Sequence, residues 1–312
     1  MRALRVGSRG SRLALVQTRM IMAELTRLVP GLRLDLVIIR TRGDQVTGVP
    51  LAQIGDRGLF TKDIENALLE DRIHFAVHSM KDVPSRLPSG LCVAASTKRL
   101  DPRDALVSRG PRSLAELPPK GTVATGSLRR RSQVLAHRPD LNVEDLRGNL
   151  PTRLRKFEAS SWSAVILAAA GLERLGFSNC VTSLISTEQM LPAVGQGALC
   201  IEAREDDEEL REWLGRVDHF PTAAAVRAER AFLGRLEGGC QVPIGALGTL
   251  RGDRLRLEGY LGTVDGSRHL RRWAEGEVSE PERIGRGLAE KMLEEGGEAI
   301  LEAVRLREGA PR

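Results

Sequence analysis

The side chains best suited to chemistry in this chain stand next to glycine and proline rather than inside long regular segments. Cys240 lies in Glu237-Gly238-Gly239-Cys240-Gln241-Val242-Pro243, with two glycines before it and a proline after it, which marks a loop. A thiol placed there suits either nucleophilic attack or covalent attachment, and residue type alone does not choose between them. Cys92, Cys180 and Cys200 have apolar neighbours and read as small buried hydrophobes. No CxxC or finger spacing links the four cysteines, so reduced thiols are expected, with no disulfide framework and no zinc site. Lys81-Asp82 follows an apolar segment at 73–77 and precedes Pro84. It is either a solvated turn or a pair delivered to the crevice at a strand's C-terminal end, where α/β proteins bind ligands. His74 and His78 have the spacing of a helical metal pair, but in a strand four residues span about 13 Å, too far to share one ion.

Basic residues carry the second chemical signal. Lys and Arg together number 47, and lysine occurs only at Lys62, Lys81, Lys98, Lys120, Lys156 and Lys291, so the positive charge is overwhelmingly guanidinium. A GC-rich coding bias explains such a preference in general. A planar donor fork that recognises carboxylates or phosphates explains it at particular positions. Two stretches have such a position: Leu4-Arg5-Val6-Gly7-Ser8-Arg9-Gly10-Ser11 and Thr122-Val123-Ala124-Thr125-Gly126-Ser127-Leu128-Arg129-Arg130 each run from a strand pattern through Gly and Ser into a helix. Free N–H groups and the positive dipole end make such a start an anion site, and ordinary serine capping explains the same residues. Walker A and complete GxGxxG motifs are both missing, which disfavours nucleotide binding.

The elements that must hold these residues alternate in type. Strands are expected at 32–39, 73–77, 91–95, 122–125 and 164–167, and helices at 11–28, 61–69, 128–136 and 151–157, an α/β pattern. Pro and Gly near Asp101-Pro102-Arg103 and in 191–197 predict hinges, hence two lobes joined by two crossings. After Phe220-Pro221 the pattern changes to a helix reaching about Leu236, strands around 254–261 and a helix from 282 to 304, a smaller third domain. At 312 residues the chain suits two or three domains. No run of about 18 apolar residues occurs, and Met1 to Arg5 leads into a strand pattern rather than a signal segment, so a soluble cytoplasmic protein is expected.

Taken together, Arg9-Gly10-Ser11, Thr41-Arg42-Gly43-Asp44, Gly58-Leu59-Phe60, Ala76-Val77-His78-Ser79-Met80-Lys81-Asp82-Val83-Pro84, Asp101-Pro102-Arg103-Asp104 and Ser127-Leu128-Arg129-Arg130 resemble successive signatures of the porphobilinogen deaminases. Leu146-Arg147-Gly148-Asn149, Ala170-Gly171-Leu172-Glu173-Arg174-Leu175-Gly176, Leu191-Pro192-Ala193-Val194-Gly195-Gln196-Gly197-Ala198 and Glu237 to Pro243 extend the likeness in the same order. The match is weak at 110–120 and beyond Gly248, and Ala124, Gly126, Gln53 and Arg57 depart from commoner residues.

That resemblance implies two lobes similar to type II periplasmic binding proteins with a hinged cleft, plus a smaller α+β C-terminal domain. Lobe 1 would comprise 1–98 and 198–217, lobe 2 would comprise 103–192, and 220–312 would carry the cysteine loop. It also implies a transferase that deaminates and joins four porphobilinogen molecules on a dipyrromethane cofactor, thioether-linked to Cys240, and releases hydroxymethylbilane for tetrapyrrole biosynthesis. Each porphobilinogen brings an acetate and a propionate, so a growing chain needs fixed cations. The resemblance assigns cofactor binding to Ser79, Lys81, Ser127, Arg129, Arg130, Arg147 and Gly148, and substrate binding to Arg9, Ser11, Gln17, Phe60, Arg153, Arg174 and Gln196. Asp82 matches the family's catalytic aspartate, which is expected to interact with pyrrole N–H groups and to assist proton transfer. Loss of ammonia leaves positive charge spread onto a pyrrole nitrogen, which a carboxylate aimed there stabilises. No metal is implied, and a monomer is expected.

Two other classes compete. A solute-binding protein would share the lobes and the anion-binding helix starts, but not the cysteine loop. A nucleic-acid binder would use the net charge of +6, yet one Tyr, three Trp and six Phe leave little for base stacking. Membrane and nucleic-acid partners are therefore not expected. Either competitor would have the intact mass of the bare polypeptide.

Overall fold

The computed structural model describes residues 3–41, 43, 61–236 and 242–309, the side chains of 307–309 excepted. The chain divides into two compact units, Met1–Leu100 with Gly195–Ala223, and Asp101–Val194 with Ala224–Arg312. The boundaries between them fall at 100/101, 194/195 and 223/224.

In the first unit β1 (Ala3–Arg9), α1 (Arg12–Leu28), β2 (Arg33–Ile39), α2 (Lys62–Leu69), β3 (Phe75–Ser79), β4 (Leu91–Ser96) and, much later, β10 (Leu199–Arg204) and α6 (Glu208–Gly215) form one layered body. The sheet order is β2-β1-β3-β10-β4, with β1, β2 and β3 parallel and β10 antiparallel to both neighbours. Alternation decides which face each residue serves. Leu4, Val6, Phe75 and Val77 pack under Ile21 and Leu25 of α1 and under α6. Ala76 meets Ile64, Ala67 and Leu68 of α2 on the opposite face. Both faces are covered, so the parallel strands are apolar nearly throughout.

The second unit holds two sheets. The first is built from β5 (Asp104–Ser108), β6 (Thr122–Ala124), α3 (Leu128–His137), β7 (Asn142–Glu144), α4 (Leu150–Glu158), β8 (Ala164–Ala168), α5 (Ala169–Arg174) and β9 (Ser183–Leu184). Its order is β7-β6-β8-β5-β9, with β6, β7 and β8 parallel and β5 antiparallel to β8 and β9. This repeats the first unit: second strand, first, third, an antiparallel crossing strand, fourth. The repeated strand–Gly/Ser–helix device therefore belongs to two sheets of one topology. Its core also lies on both faces, Leu106, Val123 and Ile166 on one and Ala105, Val107, Val165 and Leu167 on the other.

The remaining segment is α+β: α7 (Phe220–Arg235), the antiparallel meander β11 (Ile244–Arg251), β12 (Arg254–Gly262) and β13 (His269–Glu277), then α8 (Pro281–Met292) and α9 (Glu298–Gly309). The expected single helix over 282–304 is two, broken at 293–297, where Gly296 has φ +105. Only glycine adopts that backbone cheaply, and its missing side chain ends the α8 face. Phe232, Leu257, Leu261, Leu288 and Met292 fill this core. Tyr260 and Ser132 of α3 share a 2.8 Å hydrogen bond, and a Cβ at Gly262 would strike that pair, so β12 packs closely against α3.

Candidate active site

Strand β1 ends at Arg9, and Gly10-Ser11 turns the chain into α1. Ser11 is the N-cap, and its Oγ accepts from Ala14 N at 3.3 Å. Strand β3 ends at Ser79, followed by a single 3₁₀ turn, Met80–Asp82. Because β1 and β3 are parallel, both ends reach the same edge of the sheet. The buried amide of Gln17, one turn into α1, joins them: its Nε2 donates to Ser79 Oγ at 3.0 Å.

A cavity opens at this edge, lined by Arg9, Ser11, Leu13, Ala14, Gln17, Thr61, Val77, His78, Ser79 and Asp82. Five of the residues expected from the sequence thus meet in one place: Arg9, Ser11, Gln17, Ser79 and Asp82. Lys81 is exposed on the same turn but does not line the cavity. The turn is held from behind. Met80 is buried, its N–H donates to Ala198 O at 3.0 Å, and Gly195, at φ +71, lies so close that a Cβ there would overlap the Met80 side chain. Gln196, which is buried, belongs to this supporting segment.

The second unit presents an equivalent edge after β6, β7 and β8. Ser127 caps α3 and accepts from Arg130 N at 3.5 Å. The turn at Gly126 abuts the loop after β7, since a Cβ there would stand 2.6 Å from Leu146 O. Arg147 is half-buried in that loop, where desolvation lowers its pKa and Asp145 opposes the shift. Gly148 has φ +115, and Asn149 caps α4 by accepting from Thr152 N at 3.0 Å. Arg153 Nε reaches back to donate to Gly148 O at 2.7 Å. Arg174 closes α5, and burial lowers its guanidinium pKa to about 10, against the pull of Glu173.

Arg129 and Arg130 are placed differently from this rim. Both are about 95% buried and share Asp104, the first residue of β5. Arg129 Nη1 donates to Asp104 Oδ2 at 2.8 Å and to Leu191 O at 2.7 Å. Arg130 donates to Asp104 Oδ1 from Nε and Nη2 at 3.0 and 2.7 Å, and its Nη1 donates to Ile166 O at 3.0 Å. One carboxylate faces two guanidiniums, so the cluster keeps one positive charge in excess, and desolvation lowers the Arg129 pKa. Phe60 and Cys240 lie outside the described residues. Of the other thiols, Cys200 is buried as expected, whereas Cys92 and Cys180 are only half-buried, and that partial burial pushes both thiols up.

Residues 4–212 match the family model for the porphobilinogen deaminase dipyrromethane cofactor binding domain, and residues 223–294 match the porphobilinogen deaminase C-terminal domain. The chain belongs to the porphobilinogen deaminase family. The porphobilinogen deaminase of Geobacter metallireducens is 50% identical over 307 residues, covering 98% of this chain and 96% of that protein. That of Carboxydothermus hydrogenoformans is 47% identical over 300 residues, covering 96% of each. Among solved structures, the periplasmic aliphatic sulphonate binding protein SsuA from Escherichia coli is similar over 75% of this chain and 70% of its own, at 15% identity and a TM-score of 0.39.

The residues present fit a carboxylate-rich porphobilinogen deaminase cofactor. Arg129 Nε is buried without a hydrogen-bond partner among the described residues, the Arg129–Arg130–Asp104 cluster is net positive, and the rim adds Arg147 and Arg153 around the positive-φ Gly148. An anion arriving there meets cations that the protein has not fully neutralised.

Thr61 and His78 also line the first cavity, and neither was expected there. His78 falls inside the quoted motif, four residues before Asp82 in a strand. Alternation carries its signal, because His78 shares the α2 face with Ala76 rather than the α1 face with Val77. The carboxylate it meets, Glu202, is 124 positions away and gave no local sign. Asp104 stands inside a quoted motif as well, but nothing in the sequence marks it as the partner of two arginines.

Proposed function

We propose that the first-unit cavity is where porphobilinogen reacts, with Asp82 as the catalytic carboxylate of a hydroxymethylbilane synthase. The observation that carries this reading is the convergence of Arg9, Ser11, Gln17, Ser79 and Asp82 on one cavity at the C-terminal edge of parallel strands. Arg9 and the α1 N-terminus receive a substrate carboxylate. Gln17 fixes Ser79 and so the start of the turn that presents Asp82. Asp82 stands as a negative charge at the position where positive charge develops on pyrrole nitrogen as ammonia departs. Phe60, Arg153, Arg174 and Gln196 complete the substrate contacts.

Ser79, Lys81, Ser127, Arg129, Arg130, Arg147 and Gly148 hold the dipyrromethane, whose carboxylates neutralise the excess charge of the arginine cluster, with Cys240 as the thioether anchor. Bound there, the cofactor supplies the pyrrole carbon that is first extended. The functional division follows as 1–98 with 198–217, 103–192, and 220–312. No helix among the described residues is long and apolar enough to cross a membrane, and we place the enzyme in the cytoplasm as a monomer that binds neither nucleic acid nor membrane.

Denaturing mass spectrometry tests this reading. Purified protein should exceed the polypeptide mass by one dipyrromethane, localised to the Cys240 peptide, and porphobilinogen should add a ladder of pyrrole units. An unmodified protein with full activity, or full activity after Cys240→Ala, would overturn it.

A further inference from the structure

Beneath the Asp82 cavity lies a cluster of titratable groups that the reading above does not use. Glu202 on β10 has no exposed surface, His78 on β3 is 5% exposed, and Glu65 on α2 is 5% exposed. His78 Nε2 stands 2.9 Å from Glu202 Oε2, but the oxygen lies off the N–H axis, so the contact is one of charge rather than an aligned hydrogen bond. Neither Glu202 oxygen has an aligned donor among the described residues. A buried carboxylate in that condition is costly unless it is protonated or faces a cation. Glu65 adds to the conflict: burial raises its pKa against the opposing pull of the Thr61 side chain, and Glu202 raises it further against the weaker pull of His78 and Lys62. Apolar side chains would have filled this space without that cost, and a cost of this kind concentrates at functional sites.

Of these three groups, His78 is the one that lines the cavity, together with Asp82 and Arg9, while its Nε2 faces Glu202. A carboxylate behind one nitrogen of an imidazole orients the ring and fixes which nitrogen takes up a proton. The groups around His78 are Glu202 and Cys200 on β10 and Glu65 on α2, and the cavity it lines also holds Arg9 on β1, Asp82 on the following turn, Thr61, and Ser11, Leu13, Ala14 and Gln17 at the α1 end.

We propose that His78, oriented by Glu202 and backed by Glu65, is the proton-exchanging group of the cavity. The inference rests on the cavity being the site of reaction. In each coupling the carbon–nitrogen bond of the aminomethyl group breaks, and ammonia leaves with the electron pair. A carbon–carbon bond then forms to a free pyrrole carbon, and that carbon must give up its hydrogen as a proton. His78 accepts this proton and returns it to ammonia, which departs as ammonium. Atoms and charge balance with no further reactant. Asp82 keeps its electrostatic role and is not required to change protonation state, while Glu202 and Glu65 act as positioning residues.

The test uses protein already carrying its cofactor. His78→Gln should load normally by intact mass, lower turnover on the order of 10²-fold, and remove one limb of the pH–rate profile. Glu202→Gln should keep the imidazole but displace that limb, and it serves as the second variant if His78→Gln fails to fold. A readout independent of turnover is the titration of the His78 ring followed by NMR in the loaded protein without substrate, whose midpoint should move in Glu202→Gln. Unchanged turnover in His78→Gln, uniform slowing with an unaltered pH profile, or an unmoved ring titration would each overturn the proposal. Parallel measurement of Asp82→Asn separates the two failures: loss with Asp82→Asn but not with His78→Gln removes only the proton-exchange role, whereas loss with neither removes the cavity itself.

Discussion

Glu202 and Asp104 lie on the antiparallel crossing strands of two sheets built to one strand order, and both carboxylates are completely buried. Asp104 accepts hydrogen bonds from two guanidiniums at 2.7 to 3.0 Å. Glu202 has a histidine at 2.9 Å, a second buried carboxylate nearby and no aligned donor. One crossing strand therefore anchors a clamp, a carboxylate gripped by two guanidinium forks. The other anchors a cluster that can exchange a proton. The comparison separates two demands on such an enzyme: the second unit needs fixed positive charge for carboxylates, and the first needs a group whose charge can change.

Breaking the clamp should have the larger effect on stability. Asp104→Ala leaves two buried guanidiniums without their carboxylate and should cost about 3–5 kcal/mol, measured by urea denaturation. Glu202→Gln should cost about 1 kcal/mol or less, the size of a net hydrogen bond. Equal losses would show that the two carboxylates are neutralised alike and would dissolve the distinction.

Next in size is Gly195→Ala. Its φ of +71 disfavours any side chain, and the new methyl group would strike Met80 behind the turn that carries Asp82. A loss of about 1–3 kcal/mol is expected, with a fall in turnover of the loaded enzyme because the turn must shift. Stability lost without any change in turnover would mean that the Met80 contact does not set the position of Asp82.

The smallest effect concerns Glu65. A carboxyl whose pKa is raised by folding favours the folded state in its protonated form, so ionising it above the raised value costs stability. Glu65→Gln should therefore be more stable than wild type near neutral pH. The advantage should shrink as the pH falls towards the ordinary carboxylate range, because wild type then regains its proton. A gain independent of pH would point to packing rather than charge.

Much of the scaffold could be read from the sequence because its signals are local. Alternating or continuous Val, Ile and Leu marked strands, Ser11 and Ser127 marked helix starts, and the glycines near 195–197 marked a crossing. Each of these signals is carried by residues adjacent in the chain, whereas the meeting of Arg9–Ser11 with Ser79–Asp82 at one edge depends on the pairing of β1 with β3. What stayed hidden depends on pairing between distant strands. The partner of His78 is delivered by a strand that returns from beyond residue 195, and Asp104 faces arginines some 25 residues on. The break at Gly296 was missed for another reason: α8 and α9 share one apolar periodicity, and a positive φ at a single glycine leaves that pattern intact. Arg129 and Arg130 are marked in sequence as an anion-binding pair at a helix start, but only the fold shows them buried around Asp104.

The division of labour rests on Asp82 as a charge at the reaction centre. Turnover of Asp82→Asn, prepared with its cofactor loaded and confirmed by intact mass, tests that most directly, because asparagine keeps the shape and a hydrogen-bond acceptor while removing the charge. A fall on the order of 10²-fold or more with an unchanged unfolding midpoint is expected, the size seen when one preorganised transition-state group is removed, and Asp82→Glu should retain more activity than Asp82→Asn. Near-normal turnover by loaded Asp82→Asn would contradict the assignment and move the catalytic centre away from the first-unit cavity.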